Sequence, residues 1–461
     1  AGIGGGYNYS NIPNADTDSG GTVTVNGGAI TVTSGNYAAG IGGGAFGGGG
    51  TVTVNGGVVT ATGGDGGAGI GGGYNANGRT VTVNDGALTA TGGHGGAGIG
   101  GGYNYSNIPN AETNSGGTVT INGGTVSAIG GRYAAGIGSG DYGGGGTVNI
   151  SGGTVTATGG FDGAGIGGGY DGQGCTVTIT GGGVSATGGD YAAGIGGGYT
   201  YNSTAATAAA GGTMNISGGR VMATGGRYAA GIGGGSGWTV EGGDGATLTV
   251  AGGTVFATGG ADGGPGIGSG VGNVGNGGSA PHVSGSCTFT GGSIRIDGGY
   301  AATDPTDGAN RVWCVTVTNL TPHAVTTVTG LGTYGVTDLF ADENGRLYFW
   351  LPDNDYTFEA GGSGYTAAVN GAAATATLYL AAPVFATDGS GIVVSGTTLS
   401  ITITNAQSGA YYALYWAPEP GGPWTLEQSV PATADGLLTF TLSNMTAPKR
   451  FFKVEASTDQ P

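Results

Sequence analysis

Residues 51–74 read TVTVNGGVVTATGGDGGAGIGGGY, three short strand-like pieces set apart by pairs of glycine. In the first piece Val52 and Val54 alternate with Thr51 and Thr53. Successive side chains of a strand point to opposite faces, so the valines turn inward and the threonines outward. In the second piece Val59 and Ala61 take the inward places. The third offers a single large apolar residue, Ile70, among glycines. Three pieces per turn predict three faces, one of them nearly bare of side chains.

The unit recurs. GIG(G/S)G carries its isoleucine at Ile3, Ile41, Ile70, Ile99, Ile137, Ile166, Ile195, Ile232 and Ile267, at spacings of 38, 29, 29, 38, 29, 29, 37 and 35. Fixed periods of this size mark a solenoid, in which each unit buries its apolar face only against its neighbours. The inward pair returns as Val81 and Val83, Val119 and Ile121, Val148 and Ile150, Val177 and Ile179, and Leu248 and Val250. The longer coils carry insertions, YNYSNIPNADTDSGG from Tyr7, its near copy YNYSNIPNAETNSGG from Tyr103, and YTYNSTAATAAAGG from Tyr199.

The expected fold is all-β: a three-faced parallel β-solenoid of about nine coils over residues 1–300, roughly 40 Å long at the strand spacing. Two small antiparallel β-sandwich modules follow, over 301–382 and 383–461. There, runs such as VWCVTVTNL and YYALYWAP combine alternation with aromatics and turn residues. Each coil buries only about five apolar side chains, so stability must come from stacking like on like. Asn26, Asn55, Asn84 and Asn122 are placed to form an amide ladder that Ser151, Thr180 and Ser217 continue.

Of 461 residues 118 are Gly and only 8% are charged, and the net charge is −17. Only two basic residues are lysines, Lys449 and Lys453. Such a chain repels phosphate backbones, which argues against a nucleic-acid partner. No apolar run approaches the roughly 20 residues that cross a bilayer. This composition predicts an extracellular or cell-surface location.

On GGTVT(V/I)(N/S)GG followed by AGIGGG, the chain resembles the Gly-rich right-handed β-helix repeat proteins of bacterial cell surfaces over about 300 residues. The C-terminal stretches resemble the small β-sandwich modules of exported bacterial surface proteins. The resemblance implies a right-handed helix and an adhesive or carbohydrate-binding role, and says nothing of chemistry.

Aromatic residues are the main external feature. Tyr7, Tyr74, Tyr103, Tyr170 and Tyr199 directly follow GIGGG, and Tyr37, Tyr133, Tyr191 and Tyr228 lie four residues before the isoleucine. Two columns of rings along one edge suit stacking on sugar rings, which makes the first set candidate glycan contacts. The plainer reading is that they cover the thin glycine wall. Asp16 and Asp18 offer carboxylates for Ca²⁺, although a short acidic loop is more often simply solvated. No other metal site and no cofactor is expected.

Cys287 and Cys314 are separated by 26 intervening residues, close to one repeat, and are placed to bond between layers; with Cys175, they read equally as free thiols. Catalysis by a lyase or glycosidase needs convergent acids and bases. The acids of the solenoid fall mostly one per coil, with Asp162 and Asp190 at similar phase in neighbouring coils, and no histidines gather. The expected function is therefore non-catalytic: a rigid stalk, adhesin or fibre subunit contacting polysaccharide. The alternatives are a filament that docks head to tail through the first layer, which Ala1 enters without a capping element, a polysaccharide-active β-helix enzyme, or an ice-binding array of outward Thr-x-Thr columns.

Overall fold

The computed structural model describes residues 1–6, 20–104, 116–201, 209–272, 274–276, 278–279, 281, 283–335, 337–378, 392–395, 398–407, 410–417, 423–434, 436–442 and 451–457. Contacts divide the chain into two compact units. The first is Ala1–Thr327 with Gly332–Asn354 and Val369–Ala374, and the second is Val328–Leu331 with Asp355–Ala368 and Thr375–Pro461.

The first unit is the solenoid. The first pieces, from Thr22–Val25 through Thr51–Val54 to Thr213–Ile216, stack as parallel strands in one limb of a 16-stranded sheet. The second pieces, from Ala29–Thr33 to Arg220–Thr224, form the other limb. The limbs join through Thr247–Thr258, a single 12-residue strand that runs round the corner. The third face is a ten-stranded sheet of two-residue strands, the nine Ile–Gly pairs and then Tyr300–Ala301.

Pairing keeps like over like: Val52 on Val81, Val81 on Val119, Val59 on Leu88, Ile70 on Ile99. The inward valines, alanines and isoleucines form one continuous buried core. Tyr300 takes the isoleucine's place in a tenth rung that the sequence motif does not reveal.

The bare face is close-packed backbone. Gly167 holds φ +142°, and a β-carbon there would fall inside contact distance of the Gly196 carbonyl oxygen of the next coil. Only glycine combines that backbone with that approach.

At the first turn the expected ladder forms as far as Ser151: Asn55 Nδ2 donates to Asn26 Oδ1 at 2.8 Å, Asn84 to Asn55 at 2.7 Å, Asn122 to Asn84 at 2.8 Å, and Ser151 Oγ to Asn122 at 3.0 Å. These side chains are exposed, so each link is worth about 1 kcal/mol. Asn84→Ala, which removes two links, is expected to lower unfolding free energy by about 1–2 kcal/mol in urea melts. Asn84→Ser should recover some of it.

Residues 301–354 do not stand apart as a module. Leu347–Leu351 pairs antiparallel with Trp313–Val317 and lies on the last coil, where the Trp350 ring sits 5.4 Å from Phe289 and its Nε1 donates to the Ile294 carbonyl at 3.0 Å. Arg295 reaches Asp297, Asp342 and Glu343. The stretch 301–382 is thus divided between the two units, because these aromatic and charged side chains find their partners on the solenoid. In the second unit two three-stranded antiparallel sheets enclose Ile401, Ile403, Tyr412, Leu414 and Phe440 as a small sandwich.

Cys287 and Cys314 are free thiols and not a disulfide. Cys287 takes the inward place of the last coil, in register with Leu248, whereas Cys314 belongs to the antiparallel ladder opposite Trp350. Burial pushes each thiol up to about 11. Among the described residues no helix is long and apolar enough to cross a membrane.

Candidate functional site: a tyrosine strip with buried acids

Backbone hydrogen bonds bring the two ring columns together at one edge. From Ile70 to Ile267, the residue four after the Ile donates its amide to the carbonyl of the residue four before the Ile of the preceding coil, as Tyr74 does to Tyr37 at 2.9 Å and Tyr170 to Tyr133 at 2.8 Å. Their rings meet edge to face, Tyr37–Tyr74 at 5.1 Å and Tyr133–Tyr170 at 5.9 Å. From coil to coil the strip continues through Tyr74–Tyr103 at 5.3 Å and Tyr170–Tyr199 at 5.7 Å, ending where Tyr191 stacks on Tyr228 at 5.7 Å and meets Trp238.

Further rings outside the two columns join the strip, among them Phe46, Tyr142 and Phe161. Phe46 and Tyr142 come one residue later than the column tyrosines, at a turn position of positive φ, 59° and 57°, that Asn75 and Asp171 share. Tyr142 bridges Tyr103 at 6.3 Å and Tyr170 at 5.1 Å. Burial, with the charge of Asp171 next, raises Tyr170 well above the ordinary phenol range.

Two carboxylates stand in ring positions. Asp141 is four residues after Ile137, where neighbouring coils have Tyr103 and Tyr170, and it keeps their backbone pattern: its amide donates to Gly95 and its carbonyl accepts from Asn104. Asp162 is four residues before Ile166, in the column of Tyr133 and Tyr191, and its carbonyl accepts from Tyr199. Both are buried, at 4% and 5% exposure. Asp171 lies next to Tyr170 and accepts from Thr200 Oγ1 at 2.5 Å.

Desolvation dominates their chemistry. It pushes Asp141 up to about 8, aided by the charges of Asp171 and Asp162. It pushes Asp162 up to about 7, where the Arg132 guanidinium opposes the shift and Asp190 adds to it. Asp171 is also raised by burial, against the hydrogen bond from Thr200. Asp141 and Asp162 are thus poised near neutrality, Asp141 chiefly as an acid.

A groove of about 500 Å³ opens in the strip. It exists because Gly66 and Gly95 occupy the second ring column in two successive coils, between Tyr37 and Tyr133. Its floor and sides are Tyr74, Tyr103, Tyr142 and Tyr170, with Asp65, His94 and Asp141. A β-carbon on Gly95 would stand 2.6 Å from Tyr103 Cδ2, so that tyrosine packs flat on the glycine. Oδ1 of Asp141 is buried and, among the described residues, has no hydrogen-bond partner.

Of the expected glycan contacts, Tyr74, Tyr103 and Tyr170 line this groove. Tyr199 does not: packed against Tyr170 and Tyr191, it is only 6% exposed and offers no ring face. Tyr7, Asp16 and Asp18 lie outside the described residues, as do Glu112 and Asn114. Asp162 and Asp190 are close enough to interact electrostatically, but Asp190 is exposed while Asp162 is buried. Asp141 escaped sequence reasoning as a site residue, although its position relative to Ile137 marks it as the acid that replaces a column tyrosine.

No curated protein and no solved structure matches the chain. A family model described as a β-helix repeat matches residues 52–74, 81–103, 119–141, 148–170, 177–199, 215–236 and 248–271. Six of the seven matches start on the first inward residue of a coil, and all end on the ring-column position four after the isoleucine, so the family's unit coincides with the structural coil. In sequence as in structure, residues 52–271 are a β-helix repeat array.

Proposed function

We propose that the protein is a non-catalytic extracellular scaffold whose tyrosine strip holds glycan chains, as an adhesin or surface stalk does. The observation that carries this reading is the groove lined by Tyr74, Tyr103, Tyr142 and Tyr170, continuous with further rings along successive coils. Ring faces in a row suit a polymer of stacked sugars, and weak contacts repeated along a stiff array add up to firm attachment.

The acids support a binding role over a catalytic one. A glycosidase sets one carboxyl as acid against another kept ionised, whereas burial here drives Asp141 and Asp162 the same way. The acidic, lysine-poor composition supports an extracellular setting.

A glycan array probed with the wild type and with Tyr74→Ala, Tyr103→Ala and Tyr170→Ala tests the proposal. Each lost ring is expected to weaken binding about fivefold, a loss of about 1 kcal/mol, and the triple variant about a hundredfold. Circular dichroism would show that the solenoid is retained. Binding that survives the triple variant, or no binding by the wild type, would overturn the reading.

A further inference from the structure

We propose that the groove recognises an ammonium group, with Asp141 as its counter-ion, so that the glycans it takes carry free amines. This rests on the glycan reading and names the substrate class of the same site.

Asp141 supplies the first observation. The residue is 4% exposed, its carboxyl lines the groove, and among the described residues its Oδ1 has no hydrogen-bond partner. An unsatisfied buried carboxyl costs folding energy that a donor from a ligand would return, and a cation returns most. Around it Tyr103, Tyr142 and Tyr170 present π systems, whose negative faces attract cations.

The second observation is that the same strip already combines ring, carboxylate and cation within the chain. The Arg132 guanidinium lies 5.4 Å from the Tyr133 ring and 5.7 Å from Phe161 while its charge acts on Asp162. Arg227 lies 5.3 Å from Tyr228 and is ion-paired with Asp262. In the groove the described lining has the rings and the carboxylates Asp65 and Asp141, with neither Lys nor Arg. A ligand's ammonium completes the third such set.

Charge decides the rest of the selection. With neither Lys nor Arg in its described lining and a net charge of −17 on the chain, the groove disfavours uronate and sulfated sugars. A divalent metal is a poorer fit. Calcium takes six or more oxygens, and among the described residues no group of three or more His, Cys, Asp or Glu gathers to hold an ion. A groove of about 500 Å³ accepts a short stretch of sugar chain.

Calorimetry on the full chain at about pH 6, where a sugar amine is protonated, separates the outcomes. The probes are glucosamine oligomers, N-acetylglucosamine oligomers of equal length, and choline. The wild type is expected to bind the free-amine oligomer at least about tenfold tighter than the acetylated one, and Asp141→Asn to lose that preference. Binding should also release protons as the ammonium ionises Asp141, seen as a dependence of the heat on buffer. The other titratable groups of the site are Asp65, His94 and the lining tyrosines, with Asp162 and Asp171 close by, and none of these is altered in the variant.

Equal binding of both oligomers overturns the ammonium site and leaves the glycan reading standing. Choline bound without either oligomer supports the ammonium site and removes the glycan reading. A preference that persists in Asp141→Asn overturns the role of Asp141, and no binding of any probe removes both.

Discussion

Gly167→Ala is expected to destabilise the solenoid by about 4 kcal/mol, the sum of a backbone that alanine adopts only with strain and an overlap in a packed wall. Gly167 holds φ +142°, and its β-carbon would press on the Gly196 carbonyl of the next coil, which is backbone and has no rotamer to escape into. The added methyl would push neighbouring coils of the Ile–Gly sheet apart, and disturb with them the register of Ile166 on Ile195. Gly183→Ala is the internal control. Gly183 stands in the column of Thr154 and Arg220, a β-carbon there would meet nothing within 4 Å, and the alanine variant is expected to gain about 0.5–1 kcal/mol. Urea melts of the two variants read the contrast directly. A Gly167→Ala protein within about 1 kcal/mol of wild type would mean that the third wall is not close-packed.

The second large effect is a fall in stability with rising pH that Asp141→Asn removes. Burial raises Asp141 to about 8 in the folded chain, against an ordinary carboxyl near 3.8 when unfolded. Between those values the native state holds a proton that the unfolded state does not. Stability contributed by that proton is therefore complete below about pH 4 and is lost as pH climbs to about 8. Asp162, raised to about 7, acts in the same direction over a narrower window. With each unit worth about 1.4 kcal/mol and some relaxation of the site, Asp141 should account for a loss on the order of 3 kcal/mol between pH 5 and 8.5. The Asn variant, which carries no charge to desolvate, is expected to be the more stable protein at pH 8.5 and to show the shallower slope. Parallel pH profiles for the two proteins would contradict the burial of an ionisable Asp141.

The solenoid was legible because its determinants are local and repeated. Alternation in TVTV places Val52 and Val54 inside, and a recurring Ile70 among glycines defines the thin face. The asparagine ladder followed from the same periodicity. The tenth rung was hidden because Tyr300 replaces the isoleucine, so the motif ends one layer before the pairing does. The edge of the first unit was hidden for a different reason. Trp350 and Arg295 make contacts far apart in sequence, and no local pattern announces that a strand beyond residue 301 belongs to the coil before it.

At the site, the tyrosine columns could be counted from the isoleucines, but two of their properties could not. Tyr199 faces like Tyr103 in sequence and is nevertheless covered, because ring-to-ring packing with Tyr170 and Tyr191 decides exposure. Asp141 and Asp162 looked like scattered acids until each was placed at a column position. Tyr142 is one residue out of phase with the columns, at a turn position that takes positive φ in other coils too, as at Asn75 and Asp171.

Asp141 and Asp162 keep the backbone hydrogen bonds of the tyrosines whose places they fill. The backbone pattern of the coil therefore survives a change of side chain at these positions, and each coil offers a pair of variable letters on a fixed line. Gly, Tyr and Asp already appear in them, giving a notch, a platform and a charge in turn. A surface built this way can be rewritten one rung at a time by point mutation, or lengthened by copying a rung, so that its ligand preference changes while the framework that displays it stays the same.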